Sequence, residues 1–560
     1  MRAHLSRPDG AGFVTLGGAL LLVVGSLLPW AGYGGFPGLM SLSFVFSGAR
    51  LYCMLLALVA LLSLTRLDHR ARATRPAAYC SVAVVLITML LIAYAAGGLV
   101  NVSAGAWVAL AGSIGYLVGA VLLAEAEQPT RLPDRFGRFA RFIEPLLVLV
   151  FVGLALLVFV QGLGVPESNV ASGTDYVVLD RLSLDKLTDD SQFLDFVLMV
   201  LGLATAGARL GVFTIVGQLN HKHRYLFLGA AIVAAMAFPF TQNGTAYALR
   251  ICATVGVFAA AAIGLNVVVG LAGLLDLGYI AFFGIGAYFA ALFSGTASSV
   301  VGIHLPFLLV LPLAAAVSGL FGVLLGAPTL RLRGDYLAIV TLGFGEIFKI
   351  ASNNLDGNAG PKITNGPNGI SDVPDLAIGS YNFGDAHTIL GVNIAGFANY
   401  YWLEVILLIL FMGAFLRMTE SRIGRAWVAI REDELAAAAT GINTTRLKLL
   451  AFGIGATLAG AAGAVDAHVL PVATPTSFTF LQSATLLAAV ILGGMGTVPG
   501  ALLGATVLVM LPEKLRFLDD LRLMVFGIAL VLIMRLRPEG LVPSKRRQRE
   551  FHEQATEVVA

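Results

Sequence analysis

The sequence predicts an all-α membrane protein with roughly 14–16 transmembrane segments, some of them short or broken by glycine. Of its 560 residues, 58% are hydrophobic and only 12% are charged. A soluble protein has roughly a quarter charged residues. Apolar runs of about 18 residues or more recur along the whole chain, and this is the length that a helix needs to cross a bilayer. Composition and run length together therefore predict a polytopic helical protein.

The first 224 residues are predicted to form an N-terminal transmembrane extension. An apolar run from Ala11 to Trp30 looks like a signal peptide, but it is too long and lacks a clear cleavage site. We therefore expect an uncleaved first span. Further spans are expected near 43–65, 78–99, 104–124, 143–163 and 193–218. No functional motif occurs before about residue 218, so the role of this part stays open.

The distribution of Arg and Lys predicts the orientation of the chain. The connections 66–77, 125–142 and 417–448 are rich in arginine, and the positive-inside rule places them, with both termini, in the cytoplasm. The acidic connection 164–192 and the Asn- and Gly-rich connection 352–399 are then expected on the outer side. The polar tail 546–560 is expected to be cytoplasmic.

Residues 225–545 hold the remaining predicted spans, and three places interrupt their apolar pattern: 264–286, 331–346 and 493–500. Interruptions in both halves of a transporter often mark broken helices that line a pathway, and glycine permits close backbone approach. Packing alone is the alternative explanation. The candidate pathway residues are Gly270, Gly273, Asp276, Gly278, Gly493, Gly494, Gly496 and Gly500. Whether Asp276 contacts a substrate is left open.

The stretch from Arg417 to Lys448 is the most charged connection between the later spans. Within it, Glu434 to Ala439 contains good helix formers, Gly441 is a typical helix stop, and Asn443 to Thr445 offer an N-cap for the next helix. An ordinary solvated loop is the alternative. Four consecutive alanines favour instead a short helix that packs into the groove of a partner.

Six stretches of the chain carry a family resemblance. In order they are GLNVVVGLAGLLDLGYIAFFGIGAY (264–288), LRLRGDYLAIVTLGFGEI (330–347), TNGPNGI (364–370), GRAWVAIREDELAAAATGI (424–442), VILGGMG (490–496) and RPEGL (537–541). This ordered set resembles the LivM-type permease subunit of bacterial branched-chain amino acid ABC importers, over about 225–545. The chain departs from this family in two places. Asp276 stands where relatives usually carry an uncharged residue, and the part before residue 225 is longer than in most relatives.

The resemblance implies a permease core at 225–545 whose 431–441 segment is the cytoplasmic coupling helix of an ATP-driven importer. The candidate coupling residues are Arg431, Glu432, Asp433, Glu434, Ala437 and Gly441. It also implies a multi-pass protein of the bacterial inner membrane. The implied partners are a LivH-type permease, two LivG/LivF-type ATPases and a soluble substrate-binding protein. No nucleic-acid partner is expected.

Three function classes compete: an ABC permease subunit, a secondary transporter and a membrane enzyme. The chain has no G-x-x-x-x-G-K-[ST] loop, so ATP hydrolysis is expected on separate subunits. No metal motif or cofactor motif suggests an enzyme. Ionisable residues deep in spans, such as Arg209, Asp276 and Glu346, are few for a proton relay. The predicted function is a non-catalytic permease subunit for branched-chain, hydrophobic amino acids. The alternative is an ion-coupled transporter of small amino acids or amides, and the particular amino acid stays open.

Overall fold

The chain divides into two compact units, Met1–Ala237 and Phe238–Ala560. The computed structural model describes residues 10–28, 30, 48–64, 70–95, 102–123, 140–163, 193–210, 212–242, 246–296, 303–329, 335–358, 360–378, 381–389, 392–514, 524, 527–528, 530–531, 535 and 540–542. The predicted connection 164–192, most of 125–142, most of the last predicted span and the tail 546–560 lie outside these residues.

The first unit is mainly helical in its described residues. Its helices are α1 Gly10–Leu27, α2 Gly48–Leu58, α3 Arg70–Ala95, α4 Ala104–Leu122, α5 Ala140–Leu163, α6 Phe193–Arg209, α7 Val212–Lys222 and α8 Arg224–Ala237, with a 3₁₀ extension of α2 at Val59–Leu64. Helices α1 and α4 run antiparallel in backbone contact, because a Cβ at Gly18 would overlap Tyr116 and a Cβ at Gly112 would overlap Leu22. Small residues on facing helices are the usual means of such close packing in membranes.

The second unit is also mainly helical. Its helices are α9 Ala246–Leu265, α10 Ile280–Phe293, α11 Phe307–Thr329, α12 Asp335–Asn354, α13 Phe397–Glu420, α14 Arg422–Glu432, α15 Glu434–Ala439, α16 Thr444–Val469, α17 Phe480–Gly493 and α18 Val498–Lys514. The most buried of the long helices are α9, with its π-helical end, and α16. They form the centre of the unit, and α10, α11 and α13 pack around them.

Short strands are confined to the connections of the second unit. They are β1 Ile370–Ser371, β2 Ala377–Ile378, β3 Tyr381–Asn382, β4 His387–Ile389, β5 Val392–Ile394 and β6 Val472–Ala473. Strands β2 and β3 pair antiparallel, as do β4 and β5, while β1 pairs with β6 so that Ile370 faces Ala473. The last pairing fastens the polar connection after α12 to the end of α16.

Seven described helices are long and apolar enough to cross a membrane. They are Ala73–Leu90, Ala104–Leu122, Ala246–Leu271, Phe307–Thr329, Phe397–Glu420, Thr444–Val469 and Pro475–Gly493. Six shorter apolar helices accompany them within the described residues. The predicted class, a polytopic helical membrane protein with some short or broken segments, is therefore confirmed. The total number of spans stays a prediction, because parts of the chain lie outside the described residues.

Candidate functional site

The first glycine-rich break follows α9. After Leu265 the chain makes a six-residue π-helical turn, Asn266–Leu271, and then has no regular structure until α10 begins. Gly273 has a φ of +71°, in the left-handed region that favours glycine. Since the residues of the π-helical turn are all buried, this is a broken helix inside the packed unit. Single π-helical turns occur frequently at functional sites.

The second break separates α17 from α18. Helix α17 ends at Gly493, and the chain then turns through Gly494 and Gly496, whose φ values are +124° and +78°. A Cβ at Gly493 would overlap the carbonyl oxygen of Gly500 in the first turn of α18. The two helices therefore meet in backbone contact directly after the turn.

The side chain of Asn266 joins the two breaks. Its Nδ2 donates to the carbonyl oxygen of Thr497 at 2.9 Å, and its Oδ1 accepts from the Gly496 nitrogen at 2.7 Å. Asn266 is fully buried. Gly270 lies so close to this bridge that a Cβ there would overlap the Asn266 side chain. Two of the predicted pathway residues, Gly270 and Gly496, are thus brought together by a third residue that was not among the predicted set.

The end of the chain's described part covers the second break. Leu541 and Val542 donate their N–H groups to the carbonyl oxygens of Leu492 and Gly493, both at 2.8 Å. The Thr497 hydroxyl donates to the Val542 carbonyl at 3.1 Å. A residue larger than glycine at position 540 would crowd Gly494. The end of the RPEGL stretch and the residue after it are therefore hydrogen-bonded through their backbone to the second break.

Asp276 lies in the turn before α10. Its Oδ1 accepts from the Gly278 nitrogen at 3.0 Å, which is the local turn that Asp commonly makes with its own backbone. The neighbouring Leu277 nitrogen donates to the Thr341 hydroxyl of α12 at 3.0 Å, and a Cβ at Gly278 would overlap the Thr341 carbonyl. The hydrogen bond of Asp276 thus shapes the turn against which α12 packs.

The predicted coupling segment 431–441 is not one helix. Arg431 and Glu432 end α14, and Asp433 is extended, with a φ of −151°. Asp433 then caps α15, because its Oδ1 accepts from the nitrogens of Leu435 and Ala436 at 2.8 and 3.0 Å. A capping carboxylate outweighs helix continuation here, since it satisfies two free N–H groups at the start of α15.

The end of α15 follows the predicted pattern. Gly441 has a φ of +86°, and the Ile442 nitrogen donates back to the Ala437 carbonyl. Asn443 then caps α16, because its Oδ1 accepts from the Arg446 nitrogen at 3.1 Å. The connection from α15 to the long helix α16 is therefore short and hydrogen-bonded.

Arg431 points into the unit. Its Nη1 donates to the Gly270 carbonyl at 2.7 Å, and its side-chain stem fills the space that a Cβ at Gly273 would need. The fully buried Trp427, one helical turn earlier, donates its Nε1 to the Leu447 carbonyl at 2.7 Å. Helix α14 is thus fastened both to the first break and to the start of α16.

The surface of α15 is divided between one buried and several exposed small residues. Ala437 is buried, and Glu434 Oε2 lies 2.6 Å from Nζ of the buried Lys448. Ala437 and Glu434 therefore face their own chain. The residues on the exposed surface are Leu435, Ala436, Ala438 and Ala439. Leu435 is 69% exposed. The alanine surface that the sequence predicted for a partner therefore excludes Ala437.

Sequence reasoning missed three residues that build this site: Asn266, Trp427 and Lys448. Asn266 had a signal, because it is a lone amide at the end of a long apolar run, where a polar side chain requires a partner. The sequence carried no signal for the inward direction of Arg431, since its partner, the Gly270 carbonyl, is 161 residues away in sequence.

We compared the chain with known protein families. Residues 247–534 match the family described as branched-chain amino acid transport system / permease component. The high-affinity branched-chain amino acid transport system permease protein LivM of Salmonella typhimurium is 41% identical over 337 residues, covering 58% of this chain and 76% of the relative. LivM of Escherichia coli is 40% identical over 338 residues with the same coverage.

A second permease type also matches. LivH of Salmonella typhimurium is 33% identical over 136 residues, covering 24% of this chain and 43% of the relative. No solved structure matches the chain. The family match covers more than half of the chain and the LivM relatives are aligned over three quarters of their length, which confirms the resemblance found in the six stretches. The chain belongs to the family of permease components of branched-chain amino acid transport systems.

Proposed function

We propose that the chain is the membrane subunit of an ATP-driven importer for branched-chain, hydrophobic amino acids, and that it forms the translocation path with a second, LivH-type permease. Two LivG/LivF-type ATPases supply the energy, and a soluble binding protein delivers the substrate. The chain itself hydrolyses nothing. It lies in the bacterial inner membrane with both termini in the cytoplasm.

One observation carries the coupling part of this proposal. The exposed helix α15 follows α14 after the single extended residue Asp433, and Arg431 of α14 donates to the Gly270 carbonyl of the first break. Asn266 in turn holds the second break through Gly496. A displacement of α15 by an ATPase is therefore transmitted by hydrogen bonds to both broken helices. The exposed apolar residues of α15 are the surface that the ATPase binds.

The decisive experiment is reconstitution. The chain, the second permease, the two ATPases and the binding protein are placed in proteoliposomes, and uptake of labelled leucine is measured with and without ATP. We expect uptake only with ATP and loaded binding protein. Uptake that proceeds without ATPases along an ion gradient would contradict the proposal.

The orientation has its own test. Single cysteines replace Asn358 and Thr440 in a chain without its three native cysteines, and both are labelled with a membrane-impermeant reagent. We expect the Asn358→Cys variant to react from the outside and the Thr440→Cys variant only after the membrane is opened. Labelling of both from one side would exclude this topology.

An ion-coupled transporter is the second candidate, and Glu404 is the observation that favours it. This residue of α13 is 1% exposed, and neither of its carboxylate oxygens has a hydrogen-bond partner among the described residues. Buried carboxylates in spans commonly bind protons or ions. In the same proteoliposomes, Glu404→Gln should leave ATP-driven uptake unchanged under our first proposal and abolish uptake under the second.

A further inference from the structure

A pair of acidic side chains is buried where α13 packs against α16. Glu404 of α13 is 1% exposed, and neither of its carboxylate oxygens has a hydrogen-bond partner among the described residues. Asp466 of α16 is close enough for its charge to act on Glu404. The buried Oδ1 of Asp466 also lacks a hydrogen-bond partner in the described part of the chain. Three carboxylate oxygens therefore lie in this region without a described donor.

Helix α9 closes the region on a third side. Gly256 of α9 is buried, and a Cβ there would lie 2.9 Å from the Cβ and 3.4 Å from the Oε2 of Glu404. The missing side chain at Gly256 thus gives the Glu404 carboxylate its space between the helices. Ionisable side chains within membrane spans face the protein interior and commonly mark proton or ion sites. The position of Glu404 in the packed centre of the unit agrees with such a role.

The described cations of the surrounding elements are engaged elsewhere. The guanidinium of Arg250 in α9 lies over the Phe397 ring, 5.9 Å from its centre. His468 of α16 uses both ring nitrogens, on the Ser294 hydroxyl and the Pro374 carbonyl, at 3.1 Å each. Neither carboxylate of the pair forms an ion pair with a described residue.

The remaining ionisable side chains around the pair cannot offset its charge. Arg417, Arg446 and Lys448 belong to the opposite ends of α13 and α16. The other ionisable groups that the packed elements carry on the side of the pair are acidic or neutral: Cys252, Tyr288, Asp375, Tyr400, Tyr401 and Glu513. Two adjacent carboxylates in such surroundings repel each other, so one of them takes up a proton.

A proton fits the region better than a metal ion. Hard cations such as Ca²⁺ and Mg²⁺ take six or more oxygen ligands, whereas only three unpartnered oxygens are described here. Within the described residues, no group of three or more His, Cys, Asp and Glu side chains is suited to a metal. A protonated carboxyl group carries an O–H donor, which is the group that the region lacks.

We propose that Glu404 and Asp466 together form a proton-binding site inside the second unit. The bound proton lowers the charge of the pair and allows α9, α13 and α16 to pack around it. The site holds its proton whether uptake is driven by ATP or by an ion gradient, so it goes beyond the proposed function and does not depend on it. Glu404→Gln replaces a protonated carboxyl group by a neutral amide, which agrees with unchanged ATP-driven uptake by that variant.

The first test detects the proton chemically. Dicyclohexylcarbodiimide enters membranes and reacts with protonated carboxyl groups, because the acid proton moves to a carbodiimide nitrogen while the carboxylate oxygen adds to the central carbon. The complex in proteoliposomes is treated at neutral pH, and the labelled residues are identified by mass spectrometry. We expect label at Glu404 or Asp466 and its loss in Glu404→Gln/Asp466→Asn. Glu420→Gln, at the exposed end of α13, is the matched control and should keep the label.

Two results of this labelling would overturn the site. Absence of label from both residues at neutral pH would show that the pair is ionised there. Protection from the reagent by Na⁺ or Ca²⁺ would show that a metal ion, and not a proton, occupies the region.

The second test measures the proton through stability. The folded chain holds a proton at the pair that the unfolded chain, with its carboxylates in water, releases at neutral pH, so the stability that this proton contributes is lost as the pH rises. We expect the unfolding temperature of the wild-type complex to fall as the pH is raised from neutral, and to fall less in Glu404→Gln/Asp466→Asn. Glu404→Gln alone is measured as well, in case the double variant does not assemble.

An equal fall in the wild-type and the substituted complexes would contradict proton binding at the pair. Neither test measures uptake, so a failure of this site is distinguished from a failure of the proposed function.

Discussion

The two units differ in how they use glycine. In the first unit, Gly18 and Gly25 of α1 and Gly112 and Gly119 of α4 lie within intact helices, and a Cβ at any of them would overlap the backbone of the facing helix. In the second unit, glycines also interrupt helices: Gly273, Gly494 and Gly496 all have positive φ. Among the described residues, every glycine with positive φ belongs to the second unit.

This difference indicates where motion is possible. Two continuous helices in backbone contact have one close-packed arrangement, since interiors are dense and tolerate little sliding. A helix that is broken by glycine has two ends whose relative direction is decided by a few backbone angles. We therefore expect transport to depend on the breaks of the second unit and to tolerate large changes in the first. The following predictions test that comparison.

The largest effect is expected at the second break. Gly494→Leu places a side chain where φ is +124° and where Gly540 is already in contact, so uptake should be abolished while the complex still assembles. Uptake in proteoliposomes and subunit content by gel filtration are measured together. Gly413→Leu is the control, because a Cβ at Gly413 meets nothing within 4 Å. Normal uptake by the Gly494→Leu variant would show that the second break serves helix packing and is not needed for transport.

The next effect concerns the bridge between the breaks. Asn266→Ala removes two buried hydrogen bonds and takes from the Gly496 N–H its acceptor, whereas the Thr497 carbonyl keeps its bond from the Ala501 nitrogen. We expect a loss of about 2–4 kcal/mol in stability, read as a lower unfolding temperature of the purified complex, and a strong loss of uptake. Asn354→Ala removes a hydrogen bond from an exposed amide at the end of α12 and should change neither. Equal effects of the two variants would contradict a special role for the bridge.

A smaller and more selective effect is expected at Arg431. Arg431→Met keeps an apolar stem beside Gly273 but cannot donate to the Gly270 carbonyl. Uptake per ATP hydrolysed should fall about tenfold, as expected for the loss of one charged hydrogen bond of roughly 1.5 kcal/mol. Arg425→Met is the control, since the exposed Arg425 of the same helix donates to the Glu420 carbonyl, five residues earlier in the chain. An unchanged ratio of uptake to hydrolysis in Arg431→Met would show that the contact does not transmit motion.

The smallest effect on uptake is expected in the first unit. Removal of residues 1–220, with a new start near Lys222, should leave measurable uptake in the assembled complex, because the family match begins only at residue 247. Membrane insertion and co-purification with the ATPases are checked first. An assembled and folded truncation without any transport would show that the first unit takes part in translocation.

Much of the coupling segment was predictable from local sequence. The alanine-rich helix, its stop at Gly441 and the cap at Asn443 all occur as expected, because propensity and capping depend on residues within a few positions. The break at Asp433 could have been predicted from the same rules, since Asp is a strong N-cap. The membrane class and the family followed from composition and from the six ordered stretches.

Other features depend on contacts between distant parts of the chain. Ala437 was assigned to a partner surface but is buried, on the helix whose Glu434 pairs with Lys448 of α16. Arg431, which was expected to offer a charged contact to a partner, donates to the Gly270 carbonyl of its own chain, and its contact with a partner stays a prediction. Charge and helix propensity alone cannot distinguish these directions.

Residue type and spacing were sufficient to establish a helical membrane protein, its glycine-rich breaks and its capped surface helix, because hydropathy, capping and backbone freedom are local properties. The joining of the two breaks by Asn266 was decided only by the tertiary structure. That bridge requires two segments about 230 residues apart to meet within hydrogen-bond distance, and only the packing of α9 against α17 and α18 brings them there.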